Sequence, residues 1–472
     1  MNFKGKNITA AHCVGIGGIG VSAVAKLLAA AGVRVSGSDI EESFIIEELR
    51  ARGVAVVLGH RAENVPSDAQ LLVYTPAAGE NNPERVRARE LGVLQMSYPE
   101  FLGELSRSYK TIAVSGTHGK STTTAMIGLI LEAAGFDPTV IVGSRVPAFP
   151  DGNLRVGNSE WLVVEACEHQ GNMRHISASV AVVTAIEKDH LDYYRDLAHI
   201  VAAFQEFIDV ARVDGTVVFN ADDERCAGLA LGARQGVEFG IEHEATWVAR
   251  DRAVRNKKQE FVVYNNRENC GLWSLAVPGI FNVRNALAAG AAAFVVGVPV
   301  GVIRDTLAKF TGIWRRFELV GVMPGVGAHV VSDYGHHPTA VRVTLEAARE
   351  QYPGHRIVLV FQPHQHNRTK NLFDDFVEAL CGADVLIGVE IYDVAGREEE
   401  RDQSVSTLTL VEAVEKRVQR NGYEGPEPEA VVYAAGLNEA EELAREYARE
   451  DDVILVMGAG DVWQVAGRLV RP

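Results

Sequence analysis

The stretch Ser115-Gly116-Thr117-His118-Gly119-Lys120-Ser121-Thr122-Thr123-Thr124 decides the fold. It follows Ile112-Ala113-Val114, a short apolar run that reads as a buried strand, and precedes Ala125-Met-Ile-Gly-Leu-Ile-Leu-Glu-Ala-Ala134, which reads as a helix. A glycine-rich turn between strand and helix presents backbone N–H groups and a positive helix end to phosphate. Lys120 adds a mobile cation for β- and γ-phosphates, and the Ser121 hydroxyl suits Mg²⁺. The spacing Gly-x-x-Gly-Lys-Ser is two residues shorter than the general phosphate loop.

Upstream, a second glycine turn, Gly15-Ile-Gly17-Gly18-Ile19-Gly20, lies between a strand from Ile8 to Val14 and a helix running to Ala31. The next strand, Val33 to Asp39, places Asp39 19 residues beyond Gly20, where a ribose-binding carboxylate belongs. Alone, this turn suits a dinucleotide or a nucleotide-sugar diphosphate; equally, its glycines could serve only close strand–helix packing. A further strand over Ala69 to Pro76 and a helix over Asn82 to Leu91 extend this first segment.

The polar stretch Ser106-Arg-Ser-Tyr-Lys110 marks a boundary before the phosphate-loop strand. Strands at Trp161 to Ala166, Val180 to Ala185 and Gly215 to Asn220 alternate with helical patterns, as in a wound parallel sheet. Residues Gln235 to Leu275 read as short strands and turns forming an antiparallel edge, and Asn285 to Val295 as an alanine-rich helix. A second boundary falls near Gly312-Ile-Trp-Arg-Arg316. Five strands follow, at Ala328 to Ser332, Arg356 to Phe361, Ala383 to Ile387, Ala430 to Tyr433 and Asp452 to Met457, with helices between them.

Length and composition agree with this division. A chain of 472 residues suggests about three domains of ~150 residues, and 47% apolar content supports real cores. The formal charge of −16 argues against a general nucleic-acid or membrane-surface role. The start, Met1-Asn-Phe-Lys-Gly-Lys-Asn-Ile8, carries no apolar signal core, and no apolar stretch is long enough to span a bilayer. The five cysteines form no Cys-x-x-Cys pair, which fits a reduced cytoplasm.

Several other side chains stand where chemistry is expected. Glu165 ends the apolar strand from Trp161, and a carboxylate at the C-terminal end of a parallel strand points into the ligand crevice, where it can meet Mg²⁺, although it also reads as a solvated strand end. His190, past another strand, suits a metal or phosphate, although Glu187-Lys-Asp-His190 also reads as a solvated turn. In Asp333-Tyr-Gly-His-His-Pro338, one histidine suits the cap of a helix starting near Pro338. No cysteine or histidine stands at zinc-ligand spacing nearby. Arg315, Arg316, Arg368 and Lys370 offer cations for carboxylate or phosphate, or are ordinary surface charges.

Collected in order, these motifs resemble the Mur ligases of bacterial cell-wall synthesis, most of all the branch that adds L-alanine. The resemblance spans nearly the whole chain. It rests on His12-x-x-Gly15-Ile-Gly-Gly-Ile-Gly20, the short loop Gly116-Thr-His-Gly-Lys120, Glu165-Ala166, Asp189-His190, Gly279-x-x-Asn282-x-x-Asn285-Ala286, Arg315-Arg-Phe-Glu318, Asp333 to Pro338, Phe361-Gln-Pro-His364 and Gly458-Ala-Gly460. It implies an α/β protein of three domains: a Rossmann-like UDP-sugar-binding domain over 1–107, a central P-loop ATPase-like domain with a mostly parallel sheet over 108–313, and a Rossmann-like amino-acid-binding domain over 314–472. The chain departs from the family where Ser121 replaces threonine, where Glu165-Ala-Cys-Glu-His-Gln170 replaces a more acidic stretch, and where Gln365 and Lys370 replace arginines.

The resemblance also implies roles. ATP would phosphorylate the lactyl carboxylate of UDP-N-acetylmuramate, and L-alanine would attack the resulting acyl phosphate. Gly17, Gly18, Ile19, Gly20 and Asp39 would bind the UDP-sugar. Gly116, Thr117, His118, Gly119, Lys120, Ser121, Thr122, Asn282, Arg316 and Asp333 would bind ATP, Asn282 holding the adenine. Ser121, Glu165 and His190 would hold Mg²⁺, while His337 and Arg368 would face the amino acid. Lys120, Glu165, His190, Arg316 and Asp333 form the implied catalytic set, with closure of the last domain keeping water from the acyl phosphate. A monomer or homodimer acting on small molecules, without nucleic acid or membrane, is the expectation. Three other readings stay open: a recycling ligase that adds murein peptide to the same sugar nucleotide, an NAD-dependent oxidoreductase suggested by the first turn alone, and a non-catalytic nucleotide-binding regulator.

Overall fold

The computed structural model describes residues 2–3, 5–393, 404–419 and 428–471; Met1 and Pro472, the ends of the expected first and last domains, lie outside them. The chain forms two compact units, one of residues 1–186, 201–247 and 287–306, the other of 187–200, 248–286 and 307–472.

In the first unit a small antiparallel hairpin, β1 (Asn2–Phe3) and β2 (Lys6–Asn7), leads into a parallel sheet. Its strands are β3 (Ala10–Val14), β4 (Arg34–Asp39), β5 (Ala55–Leu58), β6 (Leu71–Tyr74) and β7 (Leu94–Ser97), in the order β5-β4-β3-β6-β7. The chain moves outward from β3 to one edge and then returns to the other side, so a crevice opens beyond the C-terminal end of β3. The glycine turn at 15–20 occupies that place.

A second sheet in the same unit contains β8 (Lys110–Ser115), β9 (Thr139–Ile141), β10 (Leu154–Arg155), β11 (Trp161–Glu165), β12 (Val180–Val183), β13 (Thr216–Asn220) and β14 (Gln235–Gly240). Their order is β10-β9-β11-β8-β12-β13-β14, parallel except for β10 on β9. β8 is therefore interior, flanked by β11 and β12, and every side chain of β8 after Lys110 is buried. This is the near-continuous apolar character expected of a strand covered on both faces.

The two sheets are tied by buried polar contacts. The Lys26 ammonium, on the helix Ile19–Ala30, donates to the Asp151 carbonyl and Asn153 Oδ1, both at 2.9 Å. Asn153 in turn donates to the Ile19 carbonyl and to Ser22 Oγ. The helix that opens at the glycine turn is thus fixed to the second sheet at its first turns.

In the second unit, β15 (Trp247–Arg255, its first residue belonging to the first unit), β16 (Lys258–Asn265) and β17 (Glu268–Leu275) follow one another as neighbours. The pairs Asn256-Lys257 and Asn266-Arg267 between them have positive φ, as two-residue hairpin turns require. The expectation of an antiparallel edge over Gln235 to Leu275 therefore holds for β16 and β17 but not for β14. β14 pairs in parallel with β13 because the helix Glu224–Ala227 carries the chain back across the sheet before it starts.

The last sheet comprises β18 (Glu318–Val322), β19 (His329–Asp333), β20 (Ile357–Phe361), β21 (Val385–Val389), β22 (Ala430–Ala434) and β23 (Val453–Met457), ordered β18-β19-β23-β20-β21-β22. Only the β18 edge is antiparallel. Alternate residues build a core on each face, with Val331, Leu359 and Leu455 on one side and Val330, Val358 and Ile454 on the other. Among the described residues no helix is long and apolar enough to cross a membrane.

Candidate active site

The phosphate loop lies at the C-terminal end of the interior strand β8. Gly116 has φ +138° and Gly119 has φ +82°, values that side-chain-bearing residues rarely adopt. At Gly116 a Cβ would lie 2.0 Å from Thr184 Oγ1. That hydroxyl donates to the Ser115 and His118 carbonyls, so it pins both ends of the loop. The helix Lys120–Ala133 starts with Gly119 as its cap and no side chain capping it, which leaves its first N–H groups and positive end for an anion. The helix was expected from Ala125. It begins five residues earlier because Ser121 to Thr124 are all buried and Thr124 Oγ1 returns to the Lys120 carbonyl.

Lys120 Nζ is anchored on the loop, donating to the Gly116 carbonyl at 2.6 Å and the Thr117 carbonyl at 3.3 Å. It also lies 2.9 Å from Glu168 Oε1, with hydrogen-bond geometry, and 2.8 Å from Oε2. Burial by itself would lower the Lys120 pKa, but Glu168, with Cys167 and Glu165, more than offsets it and the pKa is raised. Lys120 is a held cation. Glu165 ends β11, the neighbour of β8, and its Oε2 accepts from the Gly143 N–H at 2.7 Å.

At the glycine turn, Gly15 and Ile16 donate their N–H groups to the Ser38 carbonyl at 2.8 and 3.0 Å. Asp39 Oδ2 accepts from the Gly17 N–H at 2.7 Å and Oδ1 from the Ile40 N–H at 2.8 Å. Asp39 thus shapes the turn with one lone pair of each oxygen. Ser38 is held from below by a buried network: its hydroxyl donates to Glu84 Oε2, which also faces His12 Nε2 at 3.4 Å, while Asn64 donates to Glu84 Oε1 at 2.6 Å. Burial would raise the Glu84 pKa, and these hydrogen bonds more than reverse it, so it is lowered.

A cavity of about 360 Å³ lies between the glycine turn and the C-terminal end of β11. Gly18, Gly20, Thr75 and Tyr98 line it on the side of the first sheet, and Gly143, Glu165 and Cys167 on the side of the second. Burial, then the nearby Glu165 and Cys167, push the Tyr98 phenol pKa up, and burial raises the Cys167 thiol to about 12. Both are neutral hydrogen-bonding groups beside Glu165.

The second unit carries the remaining candidates. Asp189 Oδ1 accepts from Arg368 Nε at 3.0 Å and Nη2 at 2.8 Å, and both residues are buried. Burial by itself would raise the Asp189 carboxyl, but Arg368 beside it holds it well below the usual range. The backbone of His190 has φ +52°, and its N–H donates to Asp189 Oδ1 at 2.7 Å. Asp189 therefore fixes both Arg368 and the turn that presents His190. Gln365, with φ +68°, accepts from Arg368 Nη1 at 3.3 Å, while its buried Nε2 has no hydrogen-bond partner among the described residues.

Asp333 is buried at the end of β19. Its Oδ2 accepts from the Phe317 N–H and its Oδ1 from the Gly335 N–H, at 2.8 and 2.7 Å. Burial pushes its carboxyl up. It clamps the segment in which Arg315 and Phe317 both have positive φ. Arg316 lies over the Tyr334 ring at 5.0 Å. Arg315 donates to the Gly458 and Gly460 carbonyls, and burial brings its pKa down to about 10. His337 caps the helix Pro338–Gln351, as the sequence suggested, its Nδ1 accepting from the Thr339 N–H while Nε2 lies 2.9 Å from the Lys188 carbonyl. Asn282 donates to the Pro278 carbonyl at 2.7 Å and accepts from Asn285 at 3.2 Å.

The sequence-derived residues fall into two sets. Gly17 to Gly20, Asp39, Gly116 to Thr122 and Glu165 lie in the first unit, and His190, Asn282, Arg316, Asp333, His337 and Arg368 in the second. Tyr98, Gly143 and the pairing roles of Glu168 and Asp189 were missed by reading the sequence. Asp189 carried a signal as part of the Asp189-His190 motif, and Glu168 as an acid kept in the altered stretch after Glu165.

The donor set matches what ATP and Mg²⁺ need: a glycine cradle that a Cβ would fill, an uncapped helix N-terminus, a fixed lysine, a hydroxyl and a carboxylate. Residues 10–110 match the Mur ligase family catalytic domain, 114–293 the Mur ligase middle domain, and 315–460 the Mur ligase glutamate ligase domain. The chain is 38% identical over 469 residues to a UDP-N-acetylmuramate–L-alanine ligase of Clostridium novyi, covering 98% of each chain. It is 37% identical to the enzyme of that name from Caldanaerobacter subterraneus, covering 98% of this chain and 97% of the other. A solved UDP-N-acetylmuramate–alanine ligase from Thermotoga maritima superimposes with a TM-score of 0.81 at 31% identity, covering 98% of each chain. A murein peptide ligase from Psychrobacter arcticus, 24% identical with a TM-score of 0.70, shares the fold. The glycine turn, the short phosphate loop and three α/β sheets thus belong to one known architecture, and the chain is a member of the Mur ligase family.

Proposed function

We propose that this protein is an ATP-dependent ligase that joins L-alanine to the lactyl carboxylate of UDP-N-acetylmuramate in the supply of peptidoglycan precursors. The observation that carries the reading is the cavity in the first unit. A turn suited to a nucleotide diphosphate and a carboxylate on the strand beside the phosphate loop line one space. A sugar nucleotide whose diphosphate lies on that turn would bring its acid group to Glu165, one strand from the phosphate loop.

The chemistry follows from that placement. A carboxylate oxygen of the sugar acid attacks the γ-phosphorus of ATP, the bond to ADP breaks, and an acyl phosphate forms. The amine of L-alanine then attacks the acyl carbon, phosphate leaves with the bonding pair, and the amine proton is released. Loop N–H groups and Lys120 stabilise charge spreading over the transferring phosphoryl oxygens. Because Lys120 is already fixed by the Gly116 and Thr117 carbonyls, little reorganisation is needed when charge develops. Ser121 and Glu165 are the donors we assign to Mg²⁺, which would supply positive charge to the phosphate oxygens, and His190 is assigned as a metal donor from the second unit. Glu165 is held by the Gly143 N–H through Oε2, which orients the carboxylate. Asn282, Arg316 and Asp333 are assigned to ATP, and Arg368 with His337 to the amino acid. Asp189 is a positioning residue for Arg368.

We assign 1–107 to the sugar nucleotide, 108–313 to ATP and 314–472 to the amino acid, supported by the separation of β3–β7, β8–β14 and β18–β23 into three sheets. A small-molecule enzyme of the cytoplasm, monomeric or dimeric and without nucleic-acid or membrane partners, completes the proposal.

The test is phosphate release from ATP and Mg²⁺ with UDP-N-acetylmuramate and a panel of amino acids and murein peptides. Release with L-alanine above all others is expected. Preference for a peptide would make it a recycling ligase, and ATP binding with no turnover on any acceptor would make it a regulator.

A further inference from the structure

We propose that Tyr98 is a substrate-binding residue whose hydroxyl donates a hydrogen bond to the sugar-acid portion of the nucleotide substrate, an inference that rests on the functional reading above. Three features point to it. First, the residue is rigidly held. It opens the helix Tyr98–Arg107, whose cap is Ser97 with a reciprocal Glu100, and Pro99 follows it. Such a capping box fixes where the first helical residue stands. Second, its ring is packed on the glycine turn. A Cβ at Gly20 would come within 2.8 Å of Tyr98 Cζ and 2.9 Å of Cε1. The third glycine of the turn is therefore needed for this aromatic ring.

Third, Tyr98 lines the cavity together with Gly18, Gly20 and Glu165, so its hydroxyl-bearing ring borders the space a ligand would fill. A phenol at the wall of a cavity offers a ligand an apolar face and one hydrogen-bonding tip. The neighbouring residues indicate the chemistry of its partner. Gly18 and Gly20 belong to the turn suited to the diphosphate, and Glu165 stands at the reacting end. Between the diphosphate and the reacting carboxylate lies the sugar ring with its lactyl ether, whose oxygens can accept a hydrogen bond. Tyr98 is therefore a donor placed to set the distance between the anchored nucleotide and the carboxylate to be phosphorylated.

The test is Tyr98→Phe, which keeps the ring on Gly20 and removes only the hydroxyl. Titration calorimetry with the full-length protein would compare UDP-N-acetylmuramate with UDP. A net hydrogen bond contributes about 1 kcal/mol, so the Kd for the sugar nucleotide should rise about fivefold while that for UDP stays unchanged. The KM for ATP should also stay unchanged. Unaltered affinity of the variant for UDP-N-acetylmuramate, with the wild-type protein binding it, overturns the assignment of Tyr98 alone. Equal weakening for UDP overturns it too, because the hydroxyl would then act through the turn. A wild-type protein that binds no UDP-N-acetylmuramate overturns the functional reading and this inference with it.

Discussion

Replacing Gly116 with alanine should damage the phosphate loop from two directions. The backbone there has φ +138°, and holding a non-glycine residue in such a region costs about 1–3 kcal/mol. The new Cβ would stand 2.0 Å from Thr184 Oγ1 and 3.0 Å from the Ala185 nitrogen. Thr184 cannot simply rotate away, because its hydroxyl is bonded to the Ser115 and His118 carbonyls. Relieving such overpacking costs a further ~1–3 kcal/mol, so the total is of order 2–6 kcal/mol. Urea unfolding read by circular dichroism should show that loss. Part of it is specific to Thr184, so Gly116→Ala combined with Thr184→Ala should be less damaging than the two changes added. A coupling of at least ~1 kcal/mol is expected from residues in direct contact. A Gly116→Ala protein with wild-type stability and wild-type KM for ATP would refute the account of the loop. Strict additivity with Thr184→Ala would refute the clash.

Arg368→Ala leaves the Asp189 carboxylate buried without its guanidinium and should cost about 3–5 kcal/mol in chemical denaturation, with the double change Arg368→Ala/Asp189→Ala costing less than the sum. The Glu84 carboxyl has a folded pKa below its unfolded value. Its contribution to stability is thus fully present above the unfolded value and is lost as pH falls through the folded one. Glu84→Gln should flatten the acid limb of the stability–pH curve below about pH 4.5, and an unchanged limb would contradict the network around Ser38. His337→Ala removes the cap of the helix Pro338–Gln351 and should cost about 1 kcal/mol in the same assay.

What could be read from residues alone was local. Ile112 to Val114 lies inside β8, and the glycines at 116 and 119 have the positive φ that a strand-to-helix phosphate turn demands. The His337 cap was legible because Pro338 fixes where the helix starts. The start of the helix after Lys120 was not, because Ser121 to Thr124 look like loop residues until their burial is known. The partners of the key charges were hidden by distance along the chain: Lys120 and Glu168 are 48 residues apart, and Asp189 and Arg368 are 179. The cavity draws on residues from Gly18 to Ile176, so Tyr98 and Gly143 acquire meaning only when the two sheets of the first unit are in place. Tyr98 belongs to none of the family motifs, and the Ser97-Tyr-Pro-Glu100 box around it marks only the start of a helix.

The acyl-phosphate step is tested most directly by following the carboxylate oxygen. UDP-N-acetylmuramate labelled with oxygen-18 in the lactyl carboxylate is incubated with the protein, ATP, Mg²⁺ and L-alanine, and the released phosphate is analysed by mass spectrometry. Transfer of one labelled oxygen into each phosphate, abolished by Lys120→Ala in a protein that still folds, is the predicted result. Unlabelled phosphate, or undiminished turnover without Lys120, would contradict it.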